Sequence, residues 1–235
     1  MIRKSDVCVL IPAYNEEKNI AYVVNAVRAQ GYSALVVDDG STDGSKAVIA
    51  SLGVDHIFSP TNEGKGATLR RGLQWFLKKP YQAVILMDGD GQHAANELDV
   101  FLKALNDGAD AAVGNRLWKP QGMPFVRLAT NRIMSWILSG VAGQSILDTQ
   151  CGYRAFTRRV IESLKMETDR FETESEMLLD SAAQGFKIVS IPVSSLYQNE
   201  VSHIRPARDT MRFFKFLFKY VIKRDRIKRQ LNQPR

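Results

Sequence analysis

The stretch Ala83 to His93, AVILMDGDGQH, runs five apolar residues into two aspartates one position apart, each followed by glycine, and then an amide and an imidazole. A short apolar run bounded by Gly-rich turn residues reads as a buried strand. Polar residues just beyond such a strand fall where open α/β sheets bind their ligands, outside the carboxyl ends of the strands. The same pattern recurs upstream. VCVLI leads into IPAYNEE (11–17), ALVV into VDDGSTDGS (37–45), and HIF into NEGKGA (62–67). Helix-like stretches over 16–30, 43–52, 66–79 and 94–106 separate these runs, and DAAVG adds a fifth strand. The alternation predicts an α/β fold: a Rossmann-like, mostly parallel sheet with helices on both faces and four polar loops sharing one rim.

From about residue 120 the rhythm changes to a long helix over 125–141, a loop at 148–152, a helix near 174–184 and the strand KIVSIPV. No repeat, low-complexity segment or linker interrupts the chain, so both halves are expected in one domain. The 235 residues, 45% hydrophobic and 24% charged, are enough for a sizeable core. Cys8 lies in an apolar run and Cys151 far from it, without metal-type spacing, so both are expected as reduced thiols and neither as a nucleophile. The five-residue apolar stretch near the N-terminus is too short for a signal peptide, and no apolar run reaches about 18 residues, so neither export nor membrane crossing is expected.

The net charge of +7 is unevenly placed. Residues 205–235 hold 11 Lys and Arg against 2 Asp, whereas residues 1–204 hold 21 against 23. On a helix over 207–227, Arg208, Arg212, Lys215, Lys219, Lys223 and Arg226 are spaced to form one basic stripe beside a broad apolar arc of Phe, Leu, Tyr, Val and Ile. Such a helix suits an anionic membrane interface. Packing on the domain and on a twin subunit is the alternative.

Each loop has its own chemistry. If the fourth strand continued through them, Asp88, Asp90 and Gln92 would point one way, with Gly89 and Gly91 admitting a close neighbour. Hard oxygen ligands of this kind suit Mg²⁺ or Mn²⁺ together with substrate phosphates, whereas a solvated strand-end turn is the plainer reading. An EF-hand is excluded because no Glu stands at the required place downstream. Asp38 and Asp39 can accept from ribose or base donors, while Ser41 to Asp43 cap the next helix. Tyr14 could stack on a base, and Glu16 could reach a ribose. NEGKGATLRRG lacks the glycine of a Walker loop. Lys65 at a helix start can still meet a diphosphate.

In this order and spacing PAYNEE, VVDDGSTDGS, NEGKG and MDGDGQH, continued by VGNR, RLATNR, DTQCGYRAF, FETESEML and SHIRPARDT, resemble the family 2 glycosyltransferases of GT-A fold, nearest the dolichol-phosphate mannosyltransferase branch. The resemblance covers almost the whole chain. It implies a GT-A domain over 1–206, with a nucleotide-sugar-binding half (1–115) and an acceptor-binding half (116–206), followed by the basic amphipathic helix and tail (207–235). Pro12, Tyr14, Glu16 and Asp39 would contact the nucleoside, and Asp88, Asp90 and Gln92, with Gly89 between them, would hold the metal and the donor diphosphate. Arg116, Arg127, Asn131 (where the family has Ser) and Arg205 would grip an acceptor phosphate. Asp148 matches a proposed base, with the positioning of an arginine or the metal equally open. Glu172 and Glu174 are ambiguous, with helix-dipole partners the plainer reading; His93 and His203 flank the site motifs and could reach the metal or phosphate, with a structural histidine the plainer reading.

The implied reaction is the inverting transfer of a sugar from a GDP- or UDP-linked donor to polyprenyl phosphate, by a metal-dependent enzyme in the cytoplasm at the inner face of the membrane. A phosphate with its second pKa near 6 is already an anionic nucleophile and needs charge neutralisation more than a base. A family member acting on a sugar hydroxyl would demand a carboxylate base. A basic nucleic-acid-binding module would explain the tail and leave the four acidic loops without a role, so no nucleic-acid partner is expected. A nucleotidyltransferase would require a glycine-rich, Lys/Arg-bearing first loop, which this chain lacks.

Overall fold

A computed structural model describes residues 1–120, 122–170, 172–194 and 213–222. The chain divides into two compact units, Met1–Gln198 and Asn199–Arg235. In the first, seven strands form one sheet: β1 (Val7–Ala13), β2 (Ser33–Asp38), β3 (Asp55–Phe58), β4 (Ala83–Leu86), β5 (Ala111–Asn115), β6 (Arg154–Thr157) and β7 (Ile188–Pro192). Their order across the sheet is β3-β2-β1-β4-β6-β5-β7. All neighbours run parallel except at β6, which lies antiparallel between β4 and β5.

The helices are α1 (Ile20–Ala29), α2 (Ser45–Ser51), α3 (Lys65–Leu77), α4 (Leu98–Asn106), α5 (Phe125–Ala142), α6 (Arg158–Ser163) and α7 (Glu172–Ala183). Val7 to Ile11 of β1 are all fully buried, as expected of a central parallel strand covered on both faces. The buried rows Ile20, Val23, Val24 and Val27 of α1 and Leu69, Leu73 and Phe76 of α3 recur at helical spacing. Arg158 closes the far end of α3 by donating to the carbonyls of Leu77, Lys79 and Tyr81.

Topology positions the site. The chain winds from β1 outward through β2 to β3, then returns to place β4 on the other side of β1. The direction of winding therefore switches between β1 and β4, and the crevice for a ligand opens beyond their carboxyl ends. The loops carrying Tyr14 and Asp88 leave the sheet there.

Of the second unit the structure describes a helix over 213–222, within the span expected to be helical. On it Phe214, Phe218 and Ile222 form an exposed apolar row four residues apart, next to exposed Lys215 and Lys219. His203, Arg205, Arg208, Arg212, Lys223 and Arg226 lie outside the described residues. No helix among the described residues is long and apolar enough to cross a membrane.

Candidate active site

The loops after β1 and β2 are sewn together by side chains that accept from backbone N–H groups. Asn15, held at φ +57°, receives Thr42 N at 2.9 Å on its side-chain oxygen, while its own N–H donates to Ser41 Oγ at 2.8 Å. Glu17 accepts from Gly44 N, and Asp43 accepts from Glu17 N. The acidic pair holds loop backbone. Asp38 is fully buried, its Oδ1 accepting from Gly40 N and Ser41 N at 3.1 and 3.0 Å and its Oδ2 buried without a hydrogen-bond partner. Asp39 reaches across to the third loop, accepting Glu63 N at 3.0 Å and Gly64 N at 2.8 Å. It thereby fixes the start of α3 and the position of Lys65. Pro12 and Glu16 are half-buried and Tyr14 is exposed, so these three remain on the open side of the rim.

β4 ends at Leu86, and Asp88 to Gln92 form a turn instead of the strand extension that would align their side chains. The turn is closed by Gln92 N donating to Asp90 Oδ1 at 2.9 Å, with Gly91 at φ +78°. Gly89 lies against Pro12, so close that a Cβ there would stand 3.1 Å from the Pro12 carbonyl oxygen; this joins the first and fourth loops.

Asp88 sits in a cluster of charged and titratable side chains drawn from three parts of the chain. Lys65 Nζ is 2.6 Å from Asp88 Oδ1 and 3.1 Å from Glu174 Oε1, and His93 Nε2 is 3.5 Å from Asp88 Oδ2. Burial pushes the Asp88 carboxyl up, but the Lys65 ammonium and His93 outweigh it and hold the group well below the usual carboxylate range. Burial likewise opposes the charge on Lys65, and its two carboxylate partners raise it above the ordinary ammonium value. His93 is buried and packs its ring on Tyr153, centroids 4.9 Å apart. The cluster is roofed by Gly152, where a Cβ would come within van der Waals overlap of Asp88 Oδ2 and 3.1 Å of Lys65 Nζ.

The donor set fits a hard divalent cation. Two carboxylates and an amide stand on one short turn, and a positive charge from Lys65 already rests against Asp88. Among the described residues no three His, Cys, Asp or Glu side chains converge as a metal cage. A cation that takes one or two carboxylates and completes its shell with substrate phosphates needs no such cage.

On the acceptor side the structure pairs two residues with separate expected roles. Arg116 donates to Asp148 through Nε at 2.9 Å, Nη2 at 3.1 Å and its backbone N at 3.2 Å, and both side chains are buried. Asp148 is thus the brace of Arg116. Nearby, Ser135 of α5 and Thr149 share hydroxyls at 3.2 Å, and Thr149 N donates to Ser135 Oγ at 2.9 Å. Arg127, Asn131 and Ser135 follow at i, i+4 and i+8, so Arg127 and buried Asn131 lie on the helix face that meets the Asp148 loop.

Three features escaped the sequence reading. Arg154, at the start of β6, is fully buried and donates to the carbonyls of Cys151, Glu174 and Thr149, tying the Gly152 roof to α7. Glu174, read as a dipole partner, reaches Lys65. The outer face of α5 exposes Phe125, Val126, Ile133 and Trp136, with Trp118 exposed just before it. Their sequence spacing was legible, but only packing shows which face stays uncovered. Cys8 and Cys151 are free and buried, and burial pushes each thiol up to about 12, which suits no nucleophile.

A mostly parallel sheet with a switch-point crevice, carboxylates in the loops after β1, β2 and β4 and an arginine after β5, has the architecture of α/β proteins that bind nucleotides there. The chain belongs to glycosyl transferase family 2, whose family model matches residues 8–165. Glycosyltransferase AglJ of Haloferax volcanii is 33% identical, covering 86% of this chain and 68% of that protein. The polyprenol monophosphomannose synthase of Mycolicibacterium smegmatis is 32% identical, covering 79% and 76%. The fold matches glucosyl-3-phosphoglycerate synthase from Mycobacterium tuberculosis, solved with Mn²⁺, UDP and phosphoglyceric acid, with a TM-score of 0.71 over 91% of this chain and 77% of that one, at 19% identity. The expected GT-A fold is therefore present.

Proposed function

We propose that the chain transfers a sugar, with inversion, from a nucleotide-sugar donor to polyprenyl phosphate at a membrane surface. The observation that carries this reading is the Asp148–Arg116 clamp. A sugar hydroxyl would need a carboxylate base, and the carboxylate matching that role is fully buried and bound on both oxygens by an arginine. An acceptor arriving as a phosphate anion needs no such base. A name among the relatives, polyprenol monophosphomannose synthase, agrees with a lipid-phosphate acceptor.

In this reading Tyr14, Pro12 and Glu16 receive the nucleoside, and Asp38 and Asp39 hold the loops that frame it. Asp88, Asp90 and Gln92 would hold Mg²⁺ or Mn²⁺, which supplies charge neutralisation at the donor diphosphate. Lys65 faces the same diphosphate. Arg127 and Asn131, backed by Arg116, orient the acceptor phosphate so that one of its oxygens attacks the anomeric carbon; Arg205, expected to share this role, lies outside the described residues. The bond from that carbon to the diphosphate oxygen breaks, and the nucleoside diphosphate leaves with the electron pair. Preorganised positive charge at the acceptor offsets the repulsion between two anions.

The membrane contact is supported by two surfaces. The helix over 213–222 exposes an apolar row beside Lys215 and Lys219, and α5 exposes Phe125, Val126, Ile133 and Trp136 while carrying arginines and no acidic residue. Aromatic and cationic side chains together suit the headgroup region of an anionic bilayer.

The test is acceptor identity. The full chain with Mn²⁺ is given GDP-mannose or a UDP-hexose and either polyprenyl phosphate or the corresponding alcohol. Glycosylated polyprenyl phosphate is the expected product, with the alcohol left unreacted; equal transfer to the alcohol would overturn the proposal.

A further inference from the structure

Lys65 stands in an unusual place for a diphosphate ligand. Its ammonium is 2.6 Å from Asp88, the carboxylate assigned to the divalent cation, and its side chain is only 17% exposed. The backbone that carries it is fixed, and its neighbours come from several loops. Asp39 holds the Gly64 N–H one residue before it, Ala67 N donates to the Asp169 carbonyl at 3.1 Å, Glu174 faces the ammonium from α7, and Gly152 closes the top. A cation bound at Asp88 and the Lys65 ammonium at its present distance would compete for the same carboxylate, since both satisfy it through a full positive charge in a partly dehydrated site.

We propose that Lys65 is an internal counter-cation on Asp88, which keeps affinity for a divalent cation low until a donor diphosphate draws the ammonium away. The nucleotide and the metal then bind with positive coupling, because the diphosphate offers Lys65 a new anion and leaves Asp88 to the metal. Glu174 is a positioning residue in this exchange: it holds the ammonium from α7 and limits its travel. The inference rests on the assignment of Asp88 to the metal and adds an order to the use of that site.

The experiment is a titration of Mn²⁺ into the full chain, read by the paramagnetic resonance signal of free Mn²⁺, without nucleotide and with saturating UDP or GDP. The wild-type protein is expected to bind Mn²⁺ weakly alone and about tenfold or more tightly with the nucleotide it accepts, within the usual range of coupling between ligand sites. Lys65→Met is expected to bind Mn²⁺ without nucleotide about tenfold more tightly than wild type and to lose most of the coupling. Lys65→Arg, which keeps the charge, should retain weak nucleotide-free binding. Melting curves verify folding, and Lys65→Gln carries the same expectation if Lys65→Met does not fold. If Lys65→Met and Lys65→Gln bind Mn²⁺ no better than wild type while the nucleotide still strengthens wild-type binding, the counter-cation role is wrong and the metal assignment stands. If neither wild type nor variant takes up Mn²⁺ with a nucleotide that calorimetry shows to be bound, the metal assignment fails and the inference falls with it.

Discussion

The two halves of the site are built from opposite charges. On the donor side, before residue 116, carboxylates accept from backbone N–H groups: Asp38 from Gly40 and Ser41, Asp39 from Glu63 and Gly64, Glu17 from Gly44, Asp90 from Gln92. On the acceptor side, buried arginines donate to carbonyls and to one carboxylate: Arg154 to Cys151, Thr149 and Glu174, and Arg116 to Asp148. In the proposed reading one side receives a cation and a nucleoside and the other an anion. The contrast also ranks what can be changed. A carboxylate at a loop rim can hand its N–H partners to water, whereas a guanidinium buried without solvent cannot be removed without stranding its acceptors.

The largest effect is expected at Arg154. Replacement by Met takes a charged donor from three buried carbonyls and should cost about 3–5 kcal/mol, enough to unfold a marginal domain, as read by chemical denaturation. A loss under about 1 kcal/mol would show that water fills the place and that the arginine does not hold the roof of the site. Next comes Asp148→Asn, which keeps one acceptor oxygen for buried Arg116 and removes the negative charge that Asp148 supplies. A destabilisation of about 2–3 kcal/mol with a larger loss of transfer than of nucleotide binding is expected.

Asp39→Ala should be milder, at about 1–2 kcal/mol, because the freed N–H groups of Glu63 and Gly64 lie near solvent. It should weaken nucleotide binding through misplacement of Lys65. Arg127→Ala should leave stability within about 0.5 kcal/mol, as for a half-exposed side chain, and raise KM for the lipid phosphate with little change in donor affinity. Equal loss of donor and acceptor binding would place Arg127 at the donor diphosphate. Smallest is the double change Ile133→Ser, Trp136→Ser on the exposed face of α5. It should lower sedimentation with anionic liposomes and leave nucleotide binding in solution untouched; unchanged sedimentation would remove α5 from the membrane contact.

The sequence made the parallel strands legible because buried strands are continuous apolar runs, and it made the loop chemistry legible by residue type. It did not disclose β6. Four residues that begin with a charged arginine look like loop, and only the gap between β4 and β5 makes them a strand. The strand reading of Asp88 and Asp90 failed for a related reason: apolar periodicity marks where a strand is buried, while the turn after Leu86 is set by glycine and by the Gln92–Asp90 hydrogen bond. Partners were the least legible feature. Asp39 finds Glu63 and Gly64, Arg116 finds Asp148 and Lys65 finds Glu174 only because loops far apart in the chain converge at the switch point. Residue type therefore identified the acidic loops, but not which of their carboxylates hold backbone.

The claim that the acceptor is its own nucleophile, with Asp148 committed to Arg116, is tested most directly by the pH dependence of kcat/KM for two acceptors, a polyprenyl phosphate and a less acidic polyprenyl phosphonate. With no enzyme base, the rise in rate should follow the second ionisation of the acceptor, near pH 6 for the phosphate. It should move upward with the phosphonate. An inflection that stays at one pH for both acceptors, and disappears in Asp148→Asn, would make Asp148 the base and contradict the account.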